Sequence, residues 1–284
     1  YLQAVYQHAQ HFQAGRADQL AAKGDLRYYD NVRDLAYLRM KGTLPSIRTK
    51  MKLTLSYQRQ SDFIDRYTLD KVTYKQKKQQ QYSDQVHTLG ISWDSITHAK
   101  SWLNLSYGID FYGDSISSSA QSRTEGSFQP STASFPEGST YYTLGAFIQG
   151  KFKLYKWSKK SGLYLHVGER FSGFFANAPA RDELDAVAFQ QFGHAPYGSL
   201  QVLFNRILNV SFSYSEGFRA PNLQETVSIG DQGSTFEVPN PDLKPEVSRT
   251  LELTIRAGSN HPFSAWITGY YSFWNGLIDK KSAT

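Results

Sequence analysis

Between Met51 and Tyr57 every second side chain is apolar: Met51, Leu53, Leu55 and Tyr57 alternate with Lys52, Thr54 and Ser56. A two-residue period places the two sets on opposite faces of an extended strand. The same rhythm returns in Leu89, Ile91 and Trp93, and in Leu103, Leu105, Tyr107, Ile109 and Phe111. It continues through Tyr142 to Ile148, Leu163 to Val167, Leu200 to Phe204, Leu208 to Tyr214, Leu251 to Ile255 and Phe263 to Tyr271. Residues 1–32 are Gln/Ala-rich with weaker alternation and read as strand and loop, and the run RDLAYLRM reads as a strand entered from a loop. No helical period of useful length interrupts this. The pattern predicts roughly ten or eleven strands of roughly 10 residues each, the length a tilted membrane strand needs.

The connections differ in kind. Short polar turns are predicted at Asp94–Lys100, Lys156–Gly162, Asn205–Arg206 and Gly258–Pro262, and long polar loops near 113–140, 171–196 and 216–247. Because long and short connections alternate, all the long ones fall at one end of the sheet. A sandwich mixes loop lengths at both ends, whereas a transmembrane barrel keeps short turns on one side and long loops on the other. The expected fold is therefore all-β, a transmembrane antiparallel β-barrel with a lipid-facing side and a polar lumen, forming one domain over residues 1–284.

Composition changes the picture in a few places. No run of about 18 apolar residues exists, which excludes a helical membrane span but not a barrel. Aromatic residues make up 15% of the chain, enough to supply girdles at both membrane interfaces. The absence of Cys excludes a disulfide framework. The net charge of +6 comes from scattered basic residues without a stripe, so nucleic acid is not an expected partner.

Two strands, Asn209 to Ser215 and Thr250 to Arg256, flank a polar stretch that opens with Phe218-Arg219-Ala220-Pro221 and closes with Asn240-Pro241-Asp242-Leu243-Lys244-Pro245-Glu246. Pro221, Pro241 and Pro245 each remove a backbone donor, so the ladder stops where they stand. FRAPNLQE followed by NPDLKPE, on adjoining strands, resembles the barrel of TonB-dependent outer-membrane receptors. The likeness is sharpest over Ala195–Ile278 and extends more softly to RDLAYLRM and to Leu53–Tyr67. The resemblance implies an outer-membrane protein of a Gram-negative bacterium that takes up a scarce nutrient, such as an iron–siderophore, haem or cobalamin, with energy delivered by TonB. It also implies about half of a barrel of roughly 22 strands. The plug domain through which TonB acts and the closing strands would lie outside this chain, which opens on Tyr1 rather than an initiator. Outer-membrane lipid, TonB and a small nutrient are the implied partners, and no resident cofactor is expected.

Candidate ligand-binding residues at loop bases and in the lumen are Arg219, Glu225, Asn240, Asp242, Glu252, Arg256 and His194. For each, a shaping role in the loop or in a paired lumenal network stands beside the ligand role. Haem-transporting members carry an iron-ligating His between the two boxes; the segment Asn222–Pro239 has none, and His194 lies one loop earlier. Gly145 to Lys151 has the spacing of a phosphate-binding loop, yet it sits inside an alternating strand and Phe152 replaces the Mg²⁺-binding hydroxyl. No nucleophile elbow and no zinc-binding helix motif occurs, and the His spacing favours no metal site. A catalytic role is not expected. A passive porin, a smaller closed barrel and an outer-membrane hydrolase remain as alternatives.

Overall fold

The computed structural model describes residues 1–181, 185–205, 207–227, 230–232, 235–237, 240, 242–258 and 263–279. One antiparallel sheet dominates. Its strands are β1 (Leu2–Arg16), β2 (Asp25–Leu44), β3 (Thr49–Leu69), β4 (Gln76–Lys100), β5 (Leu103–Arg123), β6 (Gln129–Ser131), β7 (Ser139–Ser158) and β8 (Ser161–Ala178). They continue with β9 (Val187–His194), β10 (Tyr197–Phe204) and β11 (Leu208–Arg219), and end with β14 (Glu246–Ala257) and β15 (Ala265–Asn275). Between β11 and β14 in the chain lies a small separate hairpin, β12 (Gly230–Gln232) and β13 (Thr235–Glu237). Among the described residues, two short α-helices, α1 (Leu20–Lys23) and α2 (Leu223–Val227), and a 3-10 turn at Pro45–Ile47 accompany the strands.

Sequential strands lie side by side from β1 to β15, with β6 added to β5 and β9 to β8. Among the described residues the sheet stays open, since no pairing joins β1 to β15. The pairing carries each apolar set across its neighbours in register. Leu38 stands opposite Leu55, Leu55 opposite Ile91, Ile91 opposite Phe111 and Phe111 opposite Leu144. Farther along, Leu200 meets Phe212, and Phe212 meets Leu253. A continuous apolar band results, and its members Leu55, Ile91, Ile109, Leu144, Leu200 and Phe212 remain exposed. Such a band matches a surface that faces hydrocarbon.

The strands are longer than the sequence pattern suggests. β4 has 25 residues, roughly 80 Å of extended chain, where a membrane crossing needs about 9–11 residues. The excess lies at the loop end. There β4 reads Gln79-Gln80-Gln81-Tyr82-Ser83-Asp84-Gln85, polar on both faces, yet it pairs with β3 and β5 throughout. Backbone pairing needs no apolar face, so the ladder continues where the alternation ends. The region near 113–140 therefore narrows to residues 124–138, and that near 171–196 to residues 179–186. β9 and β10 are one strand interrupted at Ala195-Pro196, with Ala195 exchanging backbone hydrogen bonds with Arg170 at 2.8 and 3.3 Å. The turns shorten likewise: β4 runs to Lys100 and β7 to Ser158.

Candidate functional site at the loop end

The proline-framed hairpin forms as its sequence requires: β11 and β14 pair without a break from Leu208↔Ala257 to Arg219↔Glu246. Beyond Arg219 the chain turns inward over the polar face of the sheet. Asn222 starts α2, and its Oδ1 accepts the Glu225 N–H at 3.0 Å while Glu225 Oε2 accepts the Asn222 N–H at 2.9 Å. This is a reciprocal capping box, Asn-Leu-Gln-Glu, which satisfies donors that the start of a helix otherwise leaves free.

Arg219 then binds both sides of the hairpin base. Its guanidinium donates to Glu225 at 3.0 and 2.5 Å and lies 3.2 Å from Glu246 Oε2. The other Glu246 oxygen accepts the Ile278 N–H at 2.8 Å, which ties in the chain beyond β15. On the inner side of α2, Leu223 and Val227 are buried with Ile116, Ala176 and Ala178, and Val86, Phe135, Tyr141, Val187 and Phe189 pack around them. The Tyr141 hydroxyl donates to the Pro221 carbonyl at 3.2 Å. A five-residue helix is unstable alone, so this apolar seat is what holds it. The chain's small buried core thus lies between a loop-end helix and the polar wall, not between two layers.

The wall beneath carries acids, each with an internal donor. Asp62 accepts from Asn31 at 2.5 Å, Asp114 from the Thr88 hydroxyl at 2.7 Å, and Asp84 from the Ser118 hydroxyl. Lower down, Arg170 on β8 reaches across β7 to Asp110 on β5 with two bonds of 2.9 Å. The strand between them offers Gly145, where a Cβ would lie 2.1 Å from the Arg170 Nη2 and 2.7 Å from an Asp110 oxygen. The phosphate-loop spacing at Gly145 therefore has a structural origin: the glycine leaves room for an ion pair that crosses its strand.

The seven candidate residues divide. Arg219 and Glu225 meet directly, with Glu246 as an added third member. Asn240 Oδ1 accepts the Asp242 N–H at 3.2 Å, a local turn bond that shapes the loop base. Glu252 accepts from the Thr254 hydroxyl at 3.1 Å, and Glu252 and Arg256 share the polar face of β14 below the clamp. His194 stands apart: it pairs with Phe171 of the apolar set, is 62% exposed and lies 3.5 Å from Glu169. It therefore occupies the opposite face of the sheet from the clamp. The Asp110–Arg170 pair escapes sequence reasoning, because recognising it needs the register of three strands, and Tyr141, which its strand-end position marks as a girdle residue, packs on the inner cluster instead. Tyr141 faces inward while its neighbour Tyr142 stacks on Phe111 in the outer aromatic belt, centroids 6.1 Å apart.

The TonB dependent receptor-like β-barrel family matches residues 3–284. This chain belongs to that family. Barrels of this family are outer-membrane proteins of Gram-negative bacteria, and an apolar band on one face with a polar wall on the other is the arrangement such a barrel has. Among solved structures, the Serratia marcescens hemophore receptor HasR, in complex with its hemophore HasA and heme, is 16% identical with a TM-score of 0.68; the match covers 95% of this chain and 42% of HasR. The copper transporter OprC is 14% identical with a TM-score of 0.69, covering 96% of this chain and 48% of OprC. The alcaligin receptor FauA of Bordetella pertussis is 13% identical with a TM-score of 0.61, covering 100% and 42%. The chain thus spans less than half of these relatives, and identities this low show the shared fold. No curated protein sequence matches.

Proposed function

We propose that this chain is the part of an energised outer-membrane receptor that forms about half of its lumenal wall and the base of its outer loops. The receptor takes up a scarce nutrient of the iron-chelate, haem or cobalamin kind, coupled to TonB through a plug domain. The observation that carries this reading is the inward-folded loop end. There the Arg219 clamp and the capped helix α2 build a rigid rim over a polar lumen, rather than leaving a free pore mouth. Membership of the receptor family supports it, as do structural neighbours described as receptors or transporters for heme, copper and alcaligin. Site residues would act from the rim and the lumen, with Arg219 and Glu225 shaping the rim and Glu252 and Arg256 lining the path below. No part of this reading calls for a catalytic step.

The test is uptake of radiolabelled ferric siderophore, haem and cobalamin by cells that carry or lack the receptor, with and without an uncoupler. Receptor-dependent uptake that stops when the proton gradient or TonB is removed is expected. Uptake that persists without either would overturn the reading in favour of a passive pore.

A further inference from the structure

The three central turns of the sheet carry charge of one sign. Residues 95–109, 146–168 and 199–215 hold the turn ends of β4–β5, β7–β8 and β10–β11 without a single Asp or Glu, against seven Lys or Arg. The nearest acids of these hairpins, Asp110, Glu169 and Glu216, stand farther toward the loop end. Lys100, Lys159 and Lys160 are exposed, and none has an ion-pair partner among the described residues, where the paired lysines are Lys52 and Lys77. The turns are fastened side by side. The Trp102 carbonyl accepts the Lys153 N–H at 2.7 Å, and the Ser161 hydroxyl oxygen accepts the Asn205 N–H at 2.7 Å. Aromatic rings line the same rim: Trp102 stacks on Phe152 with centroids 6.1 Å apart, and Trp157 meets Phe204 at 5.6 Å. Phe152 pairs with Leu103 and Leu165, and Phe204 with Leu208, so both belong to the apolar face. Lys100 also pairs with Leu103 and takes the same side. Strands β4 to β11 are flanked on both sides within the chain, so this rim lies away from the sheet's open edges and on the face opposite the polar wall.

We propose that this rim is a docking surface for anionic phospholipid headgroups, in the leaflet that the short turns meet. Half-exposed aromatic rings on the apolar face mark the depth at which a barrel passes from hydrocarbon to headgroups. The lysines stand at or beyond that depth, in the turns themselves. Cations placed there attract lipid phosphates, by an amount that grows with each one and fades within a Debye length. Consecutive turns are two strands apart, about 10 Å, so a single row of headgroups meets several of them. With the acids gathered toward the loop end, no carboxylate of these turns competes for the lysines. The inference rests on the bilayer setting of the family's barrels and on no particular cargo.

The experiment places the intact receptor in phosphatidylcholine vesicles and follows tryptophan fluorescence. Phosphatidylglycerol or phosphatidylcholine, each brominated on its acyl chains, is then added as the quencher. Wild type is compared with the triple variant Lys100→Gln/Lys159→Gln/Lys160→Gln and with Lys100→Arg/Lys159→Arg/Lys160→Arg. A Trp102→Phe/Trp157→Phe variant shows which part of the signal comes from this rim. Brominated phosphatidylglycerol is expected to quench at a mole fraction about 5-fold or more below that of the phosphatidylcholine, with the preference falling as salt is added. The preference should disappear in the Gln triple and in the variant without Trp102 and Trp157, and stay in the Arg triple. Equal quenching of the wild type by both lipids overturns the docking surface, and is the outcome if these lysines meet an acidic protein instead. A preference that the Gln triple keeps, or that survives the loss of both tryptophans, overturns it too. If the Gln triple fails to assemble, the salt dependence of the wild type and the tryptophan variant still decide. Quenching by neither lipid would remove the bilayer setting itself, a failure distinct from the loss of selectivity.

Discussion

At the loop end, Arg219 reaches two carboxylates, and Asp62, Asp84 and Asp114 each find a hydroxyl or amide. At the turn end, Lys41 faces Lys52 across the same sheet, and Asp94 pairs with Lys52. The lumenal wall is polar in both places, but the polarity does different work. Where charges close on one another they fix backbone: the clamp and capping box decide how the chain leaves β11 and re-enters β14. Where they stay open they hold unspent attraction, which is what a binding surface requires. The two boxes that identify the family belong to the first kind. Arg219, Glu225 and Glu246 of these boxes are occupied with one another, so the signature marks a scaffold.

The sharpest way to break this contrast is at Gly145. Gly145→Ala places a methyl on the path of the Arg170–Asp110 pair and parts two half-buried charges, with a cost of about 2–3 kcal/mol expected. Gly198→Ala is the control, since a Cβ there meets nothing within 4 Å, and it should be neutral or slightly stabilising. Urea unfolding in micelles measures both. Equal effects would show that the lumenal ion pair contributes no more than an ordinary strand position.

Arg219→Ala comes next. It strands Glu225 and Glu246, and a loss of about 2 kcal/mol is expected, discounted because the guanidinium is 45% exposed. Limited proteolysis within residues 220–245 should accelerate, and Arg219→Lys should rescue it only partly, because an ammonium lacks the fork that serves two carboxylates. Unchanged proteolysis in Arg219→Ala would place the order of this loop elsewhere. Glu225→Ala removes one arm of the capping box and should cost about 1 kcal/mol, while Glu225→Gln should retain most of that stability. A Gln variant as unstable as the Ala variant would mean that the Arg219 charge pair, not the cap, holds α2.

Much of the architecture was legible before the structure. Alternation in Met51–Tyr57, Leu103–Phe111 and Leu208–Tyr214 marked parts of β3, β5 and β11, because a sheet with one apolar and one polar face imposes a two-residue period. The loop-end extensions escaped for a related reason: Gln79 to Gln85 is polar on both faces and carries no period, yet pairs as fully as the apolar part. At the rim, Arg219 and Glu225 were visible as candidates, but their mutual bond was not, since it depends on the chain turning inward at Pro221. The sequence offers His194 as a candidate at a loop base or in the lumen, one loop before the two boxes. Its place opposite Phe171 on the outer face follows because β9 keeps the register of β10 across Ala195-Pro196, so that His194 shares the parity of Leu200 and Val202.

The mildest expected effect concerns a loop-end connection outside the membrane, where charge again serves backbone. Between β3 and β4, Asp70 accepts the Val72 N–H at 3.0 Å, the Thr73 N–H at 2.9 Å and the Thr73 hydroxyl at 3.1 Å. Lys77 lies 2.8 Å from its other oxygen. The Lys77 ammonium first, and then these backbone donors, hold the Asp70 carboxyl well below the usual carboxylate range. A depressed folded-state pKa contributes stability that is present above the unfolded value of about 3.9 and is lost as pH falls through the folded value. The turn should therefore keep its order at pH 4, where an ordinary Asp is half protonated, and loosen only in stronger acid. Asp70→Asn retains the turn acceptor but loses the charge, so the Lys77 contribution and the acid transition should both disappear. Carboxyl NMR of Asp70 across pH 2–6 reads this directly, and a midpoint near 4 would show that the Lys77 pair does not persist in solution.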